Sequence, residues 1–538
     1  MAVSREQPSW LLPSRGAMNQ TAVIMGLIAF ATSPQAIAQG LPNPIPIPNQ
    51  QDALPMPMFI GNAAVEKPID SASVPQNPWM SPNPGSNAHN DSYMSDTYLL
   101  PGPLGKSPQV RSAWLATLQG DPRFYPPADP VAIPVIITVD RAGNLVAGVV
   151  KFRSAEGVGY VQLTLIDPVS LATLAKFDLP AEPRGASGFR PAGAYFYLDA
   201  QDRVVVGTAH RELWLVSHSR DASGKWSFAH DPRDTFSLST AIAADDQLEA
   251  VVPDWAGRLW FTSKGGVVGF VDVTSREVRY SDQLKTRGER IVNSHAVDED
   301  GGVYIVSTQS MYRFDADDDG NPQVTWREPY DPGTHVKEGQ VDIGSGTTPT
   351  LMGRDYVTIT DNGQPRMHVL VFRRAKEVTS PRLACAQPVF QPGNASNENS
   401  LIATDRSIIV ENNFGYKAAQ KDTTHGRTTK PGIARVDVDE NGDCRTVWTN
   451  ETISIPSLIS KMSLANGLIY TYTKPKGPET TDAWYFTAVD FHSGAVVYSR
   501  LAGTGILYNN HYAGAYLGPS GALYVGVLGG VVAMRDTE

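Results

Sequence analysis

Four short segments concentrate the side chains that could do chemistry: His89-Asn90-Asp91, Asn293-Ser294-His295, Asn397-Glu398-Asn399-Ser400 and Asn509-Asn510-His511. Asn293, Glu398, Asn399 and Asn510 offer amide and carboxylate oxygens, a donor set suited to a hard cation such as calcium. His89, His295 and His511 form a different set, suited to zinc, copper or iron. An imidazole titrates near about pH 6.5 when unperturbed, so His295 or His511 can take up a proton and return it. A cation that polarises a carbonyl beside such a histidine is the equipment for hydrolysing an ester or lactone. Any one of these residues also reads as a hydrogen-bonded turn or a satisfied buried polar group. Their recurrence is what sets them apart, and Thr347-Thr348, Ser460-Lys461, Asp361-Asn362 and Asn412-Asn413 extend the series.

Other catalytic signatures are absent from the sequence. It contains no Gly-x-Ser-x-Gly elbow, no His-Glu-x-x-His, no phosphate loop and no Cys-x-x-Cys. Two acidic stretches, 315–320 and 437–442, imitate a calcium loop, but Trp326 and Trp448 occupy the twelfth position where a bidentate acid is required. They read as hairpin turns.

The elements that must position these groups are short strands. Beyond Val131 the chain alternates β-branched and aromatic runs with Asp-Gly and Asn-Gly turns, and long amphipathic periodicity is missing. One unit recurs: an apolar strand, a turn, a second strand, a third that often ends in Asp, and a fourth. Its clearest copies are 294–306 and 515–526, and six weaker ones begin near Val135, Tyr195, Val251, Pro349, Ser400 and Met462. That spacing suits the four-stranded blade of a propeller. The expected fold is therefore all-β, an eight-bladed β-propeller with seven as the alternative count, and two packed β-sandwiches explain the repeat poorly. The last copy ends at Met534 without room for a fourth strand, so a strand from the N-terminal region, near 110–118, is expected to complete it and close the ring. The chemistry-bearing segments lead into first strands, which line a propeller's central channel. Cys385 and Cys444 fall on fourth strands of the fifth and sixth blades, where a disulfide between blades is open to them.

Two stretches resemble known families. Residues 293–306 resemble the blade pattern of calcium-dependent propellers such as gluconolactonases and paraoxonases, which implies a channel calcium with Asn293 among its ligands. Those families have six blades. Residues 488–498 resemble the docking repeat of pyrroloquinoline quinone propellers, with Tyr498 where Trp is usual, which implies eight blades and a quinone-dependent dehydrogenase. The adjacent cysteine pair of many alcohol-oxidising members is missing.

The N-terminus reads as an export signal. An apolar run at 21–31 is too short to span a bilayer, Arg5 and Arg15 precede it, and Ala36-Ile37-Ala38 supplies a cleavage site before Gln39. The expected organisation is a signal peptide (1–38), a Pro- and Asn-rich extended arm packed on the propeller (39–130) and the propeller (131–538). Formal net charge is -10, and the absence of a basic stripe argues against nucleic acid as a partner. The expected molecule is a periplasmic or secreted propeller with a small-molecule ligand in its channel and no membrane span. Its leading function is a metal-assisted lactone or ester hydrolase with calcium as cofactor. The alternatives are a quinone-dependent dehydrogenase, a transition-metal enzyme, and a non-catalytic binding or scaffold propeller.

Overall fold

The computed structural model describes residues 47, 56–115, 132–153, 158–183 and 191–537. The proposed signal peptide lies outside these residues. Eight antiparallel sheets follow one another along the chain at 132–178, 196–237, 248–281, 296–329, 350–389, 402–450, 461–504 and 515–535, numbered blades 1 to 8 below. Within each blade, consecutive strands are neighbours, so the fold is an eight-bladed propeller. First and second strands are mostly buried, as in Leu248–Pro253 and Leu259–Ser263, whereas fourth strands such as Trp226–Ser237 alternate in exposure.

The repeat seen in the sequence has a physical basis in the turn between first and second strands. At Asp199, Asp254 and Asp298 one carboxylate oxygen accepts the backbone N–H groups two and four residues on, at 2.7–3.0 Å. The chain then reverses through a residue with positive φ, Gly257 at 86° and Gly301 at 83°. An Asp side chain closes such a turn and glycine adopts the required conformation without strain. The acidic loops at 315–320 and 437–442 are hairpin turns of the same kind, with Asp317 N bonded to Asn321 O and Asp439 N to Asp443 O.

Three strands come from the N-terminal region: β1 (Phe59–Gly61), β2 (Thr97–Tyr98) and β3 (Gln109–Trp114). β3 pairs antiparallel with Gly530–Arg535 and supplies the missing outer strand of blade 8, closing the ring. β1 and β2 extend blade 7 at its outer and inner edges, so that this sheet has six strands. The disulfide joins Cys385 on Leu383–Val389 to Cys444 on Cys444–Asn450, across blades 5 and 6. No helix among the described residues is long and apolar enough to cross a membrane.

Between Met80 and β2 the chain enters the ring itself. Ser86 O, Ser92 O, Tyr93 O, Ser95 O and Asp96 O accept the N–H groups of Leu198, Val297, Leu351, Ala403 and Met462 at 2.8–3.0 Å. Those donors belong to first strands of blades 2, 4, 5, 6 and 7. An innermost strand otherwise leaves its free edge unpaired, and residues 86–98 satisfy that edge in five blades. They act as a plug.

Candidate functional site

The plug carries a histidine that the channel orients. His89 is buried, and its Nδ1 lies 3.2 Å from Asp96 Oδ1 and 2.9 Å from Ser400 Oγ. With Asp96 ionised, Nδ1 carries the proton and donates it to the carboxylate. Nε2 is then left with its lone pair, and it has no hydrogen-bond partner. Asp96 stays ionised in a fully buried place. Burial acts to raise its pKa, but Lys461 and then His89 outweigh this and hold it below the usual carboxylate range. Lys461, on the first strand of blade 7, is itself inaccessible, donates to Ala88 O at 3.0 Å and forms an ion pair with Asp96.

Above His89 lies a channel cavity of about 70 Å³, walled by Ala88, His89, Tyr195, Glu398, Asn399 and Tyr512 among others. One water needs on the order of 10–15 Å³ of such volume, so the cavity admits a few waters or the reacting group of a substrate. A tricyclic quinone exceeds it. The opposite wall is built by the segment leading into blade 6. Val341 N donates to Glu398 Oε2 at 3.1 Å, and Glu398 N to Asn413 Oδ1 at 3.0 Å. Asn399 Nδ2 donates to Glu411 Oε2 at 2.7 Å, while Asn399 Oδ1 and Glu411 Oε1 have no partner. Burial pushes the Glu411 carboxyl up to about 7, against smaller opposing effects of Ser460 and Asn399.

The remaining candidates fall elsewhere. Asn293 Nδ2 donates to Ser345 O, and Asn510 Nδ2 to Ala513 O, and neither residue walls the cavity. His295 is wholly buried ahead of the first strand of blade 4. Burial pushes its imidazole down to about 3, which the backbone of Trp260 offsets only in part. His511 pairs with the Tyr416 hydroxyl at 2.7 Å, and burial lowers it to about 4. Of the three histidines only His89 walls this cavity, and of the oxygen set only Glu398 and Asn399 do. Of the oxygen donors suited to calcium, this cavity brings in the side chains of Glu398 and Asn399. The described residues hold one group of three or more His, Cys, Asp or Glu ligand atoms within 4.8 Å of one another: Asp140, Asp202 and His218. It sits between blades 1 and 2, apart from the channel, where His218 Nε2 meets Asp140 at 3.2 Å and Asp202 at 3.6 Å.

Sequence reasoning passed over Asp96 and Glu411. A signal for Asp96 existed in Lys461: a lysine between Leu458-Ile459 and Met462 on a channel-lining strand demands a buried counter-ion.

No family model matches the chain. An uncharacterized protein of Archaeoglobus fulgidus is 28% identical over 329 residues, which covers 55% of this chain and 62% of that relative. The chain thus spans less than two thirds of the relative it matches. Among solved structures, Sqt1 from Chaetomium thermophilum is similar with a TM-score of 0.46 at 11% identity, over 76% of this chain and 97% of that one. A quinohemoprotein alcohol dehydrogenase from Pseudomonas putida HK5 gives 0.45 at 11%, over 85% and 80%. Streptogramin B lyase gives 0.37 at 8%, over 80% and 98%. At such identities the likeness is one of architecture.

Proposed function

We propose that this chain is an exported propeller hydrolase of small esters or lactones in which His89, rather than His295 or His511, is the general base. The observation that carries the reading is the state of His89: Nδ1 anchored by Asp96, Nε2 buried without a partner, and the residue among those that line the channel cavity. In this reading a water in the cavity gives a proton to Nε2 as its oxygen attacks the substrate carbonyl carbon. Asp96 is a positioning residue that holds the ring and stabilises the imidazolium, with Lys461 balancing its charge when the ring is neutral. The imidazolium then returns the proton to the departing alkoxide oxygen as the acyl C–O bond breaks, so acid and alcohol leave and His89 is restored. No step needs the cation expected from sequence.

Export is supported by the disulfide, since such bonds persist in oxidising compartments. The test is proton release in a pH-stat with a panel of short-chain esters and five- and six-membered lactones. Turnover by the wild type that falls at least a hundredfold in His89→Gln, with folding retained, is expected. Turnover that is the same in His89→Gln overturns the assignment, and no turnover with any ester or lactone overturns the hydrolase and leaves the binding propeller.

A further inference from the structure

The plug has a second face. On the side away from the channel cavity, the arm encloses a larger cavity of about 350 Å³, formed by residues 71–77, 82–86, 90–92 and 97–100 with Met80 and Leu464. That volume lies within the range of small-molecule sites, roughly 300–1,000 Å³. His89 faces the channel, and the three residues after it, Asn90, Asp91 and Ser92, line the outer cavity.

The one charge in this cavity is negative. Most of its amide hydrogens are committed elsewhere. Gln76 Nε2 donates to Asn77 O and Met80 O, and Asn83 Nδ2 to Val139 O and Asp202 Oδ1. Asn77 Nδ2 donates to Pro253 O at 2.8 Å, and Asn90 Nδ2 to Thr97 O. The acceptors are not used up. Asn90 Oδ1 and Ser92 Oγ are buried without partners. Asp91 Oδ1 accepts Tyr93 N and Ser95 N, whereas Oδ2 accepts only Ser95 Oγ, at 2.5 Å. No Lys or Arg lines the cavity, so Asp91 is its sole charged group. The rest of the wall is apolar, with Val74, Pro75, Tyr98, Leu99, Leu100 and Leu464.

We propose that the arm cavity is a binding site for a small primary amine with an apolar body, its ammonium facing Asn90, Asp91 and Ser92. An ammonium has three donors and no acceptor, which matches a wall that offers acceptors and one negative charge. A neutral sugar or alcohol gains no charge pairing with Asp91, and an anion is repelled by it. The apolar body lies along Tyr98, Leu100 and Leu464. This site is independent of the hydrolase reading and stands or falls separately.

The experiment is calorimetric titration of the full mature chain with 2-phenylethylamine, 2-phenylethanol and 3-phenylpropionate, which share an apolar body and differ in the head group. One equivalent of the amine is expected to bind, with the alcohol and the carboxylate at least tenfold weaker. Ser73→Trp places a large side chain at an exposed position of the cavity wall and is expected to remove binding without touching the plug. Asp91→Asn is expected to weaken the amine at least tenfold, and unchanged circular dichroism and unfolding temperature in Ser73→Trp keep the test valid should Asp91→Asn fold poorly. Alcohol binding as tight as amine binding, amine binding that survives Ser73→Trp, or no amine binding each overturns the site.

Discussion

The ring and the arm are built on opposite principles. Each blade is a run of consecutive strands closed by turns in which an Asp bonds its own neighbours, so its information is local. The plug is held by partners far away in sequence: His89 to Ser400 across 311 residues and Lys461 to Asp96 across 365. The ring therefore repeats and the plug does not, and the one histidine that lines the channel cavity, His89, stands on the part that does not repeat. The lesson is that a propeller provides a framework with a channel, while the chemistry rests on the segment that fills it.

Breaking the Asp96–Lys461 pair is the severest test of that contrast. Asp96→Ala leaves an ammonium buried with no counter-ion, which costs about 3–5 kcal/mol. Urea unfolding should show this as a large drop in midpoint. Asp96→Asn combined with Lys461→Met should recover much of the loss, because neither charge is then stranded. A single variant as stable as the wild type would falsify the view that the plug is fastened by this pair.

Next in size is the functional contrast between two buried histidines. His89→Gln should lower ester or lactone turnover by roughly 10²–10⁴-fold, the usual span of general base catalysis. His295→Leu, in the core ahead of blade 4, should leave turnover within about twofold once the folded fraction is corrected for. Equal losses in the two variants would erase the distinction between plug and ring.

The disulfide tests a purely mechanical role for the ring. Cys385 and Cys444 are 59 residues apart, and a loop of that length gains on the order of 2–4 kcal/mol from cross-linking. Cys385→Ala with Cys444→Ala should lower the unfolding midpoint accordingly and leave the channel chemistry unchanged. Loss of turnover in the folded double variant would tie the outer strands to the site.

How much of this was legible in sequence follows from the same division. The blades, their number, the closing strand and the cysteine pair could be read, because strand alternation and Asp-Gly turns are short-range signals. The expected closing strand at 110–118 is found at Gln109–Trp114, a small offset of the kind that turn residues do not fix. The site was legible only in fragments. His89, Glu398 and Asn399 stood out by residue type, but nothing local says that Asn293 turns to Ser345 or that His295 is sealed beside Trp260. Asp96 reads as an ordinary polar residue before Thr97-Tyr98, since its partners His89 and Lys461 lie one on the plug and one on blade 7.

The smallest expected effect concerns Glu411, on the channel wall opposite the plug. Burial raises its carboxyl from 4.5 to about 7, so between those values the folded chain keeps a proton that the unfolded chain has released. At this site the unfolded state then binds fewer protons, and the Glu411 contribution to stability must fall as pH rises through this window, by roughly 3 kcal/mol in all. Asp91, raised from 3.8 to about 6 by burial, acts with the same sign but is finished near pH 6. From pH 6 to 7 Glu411 alone takes away about 1 kcal/mol, against a gain of similar size from His295 and His511, whose imidazoles burial has lowered to about 3 and about 4. Glu411→Gln keeps an uncharged side chain of the same shape beside Asn399, so its stability should rise more from pH 6 to 7 than that of the wild type, by about 1 kcal/mol. An identical slope in the two proteins would mean that the wall of the channel is wetter than its burial implies, and that the contrast between a dry plug site and the solvated outer ring is weaker than the geometry shows.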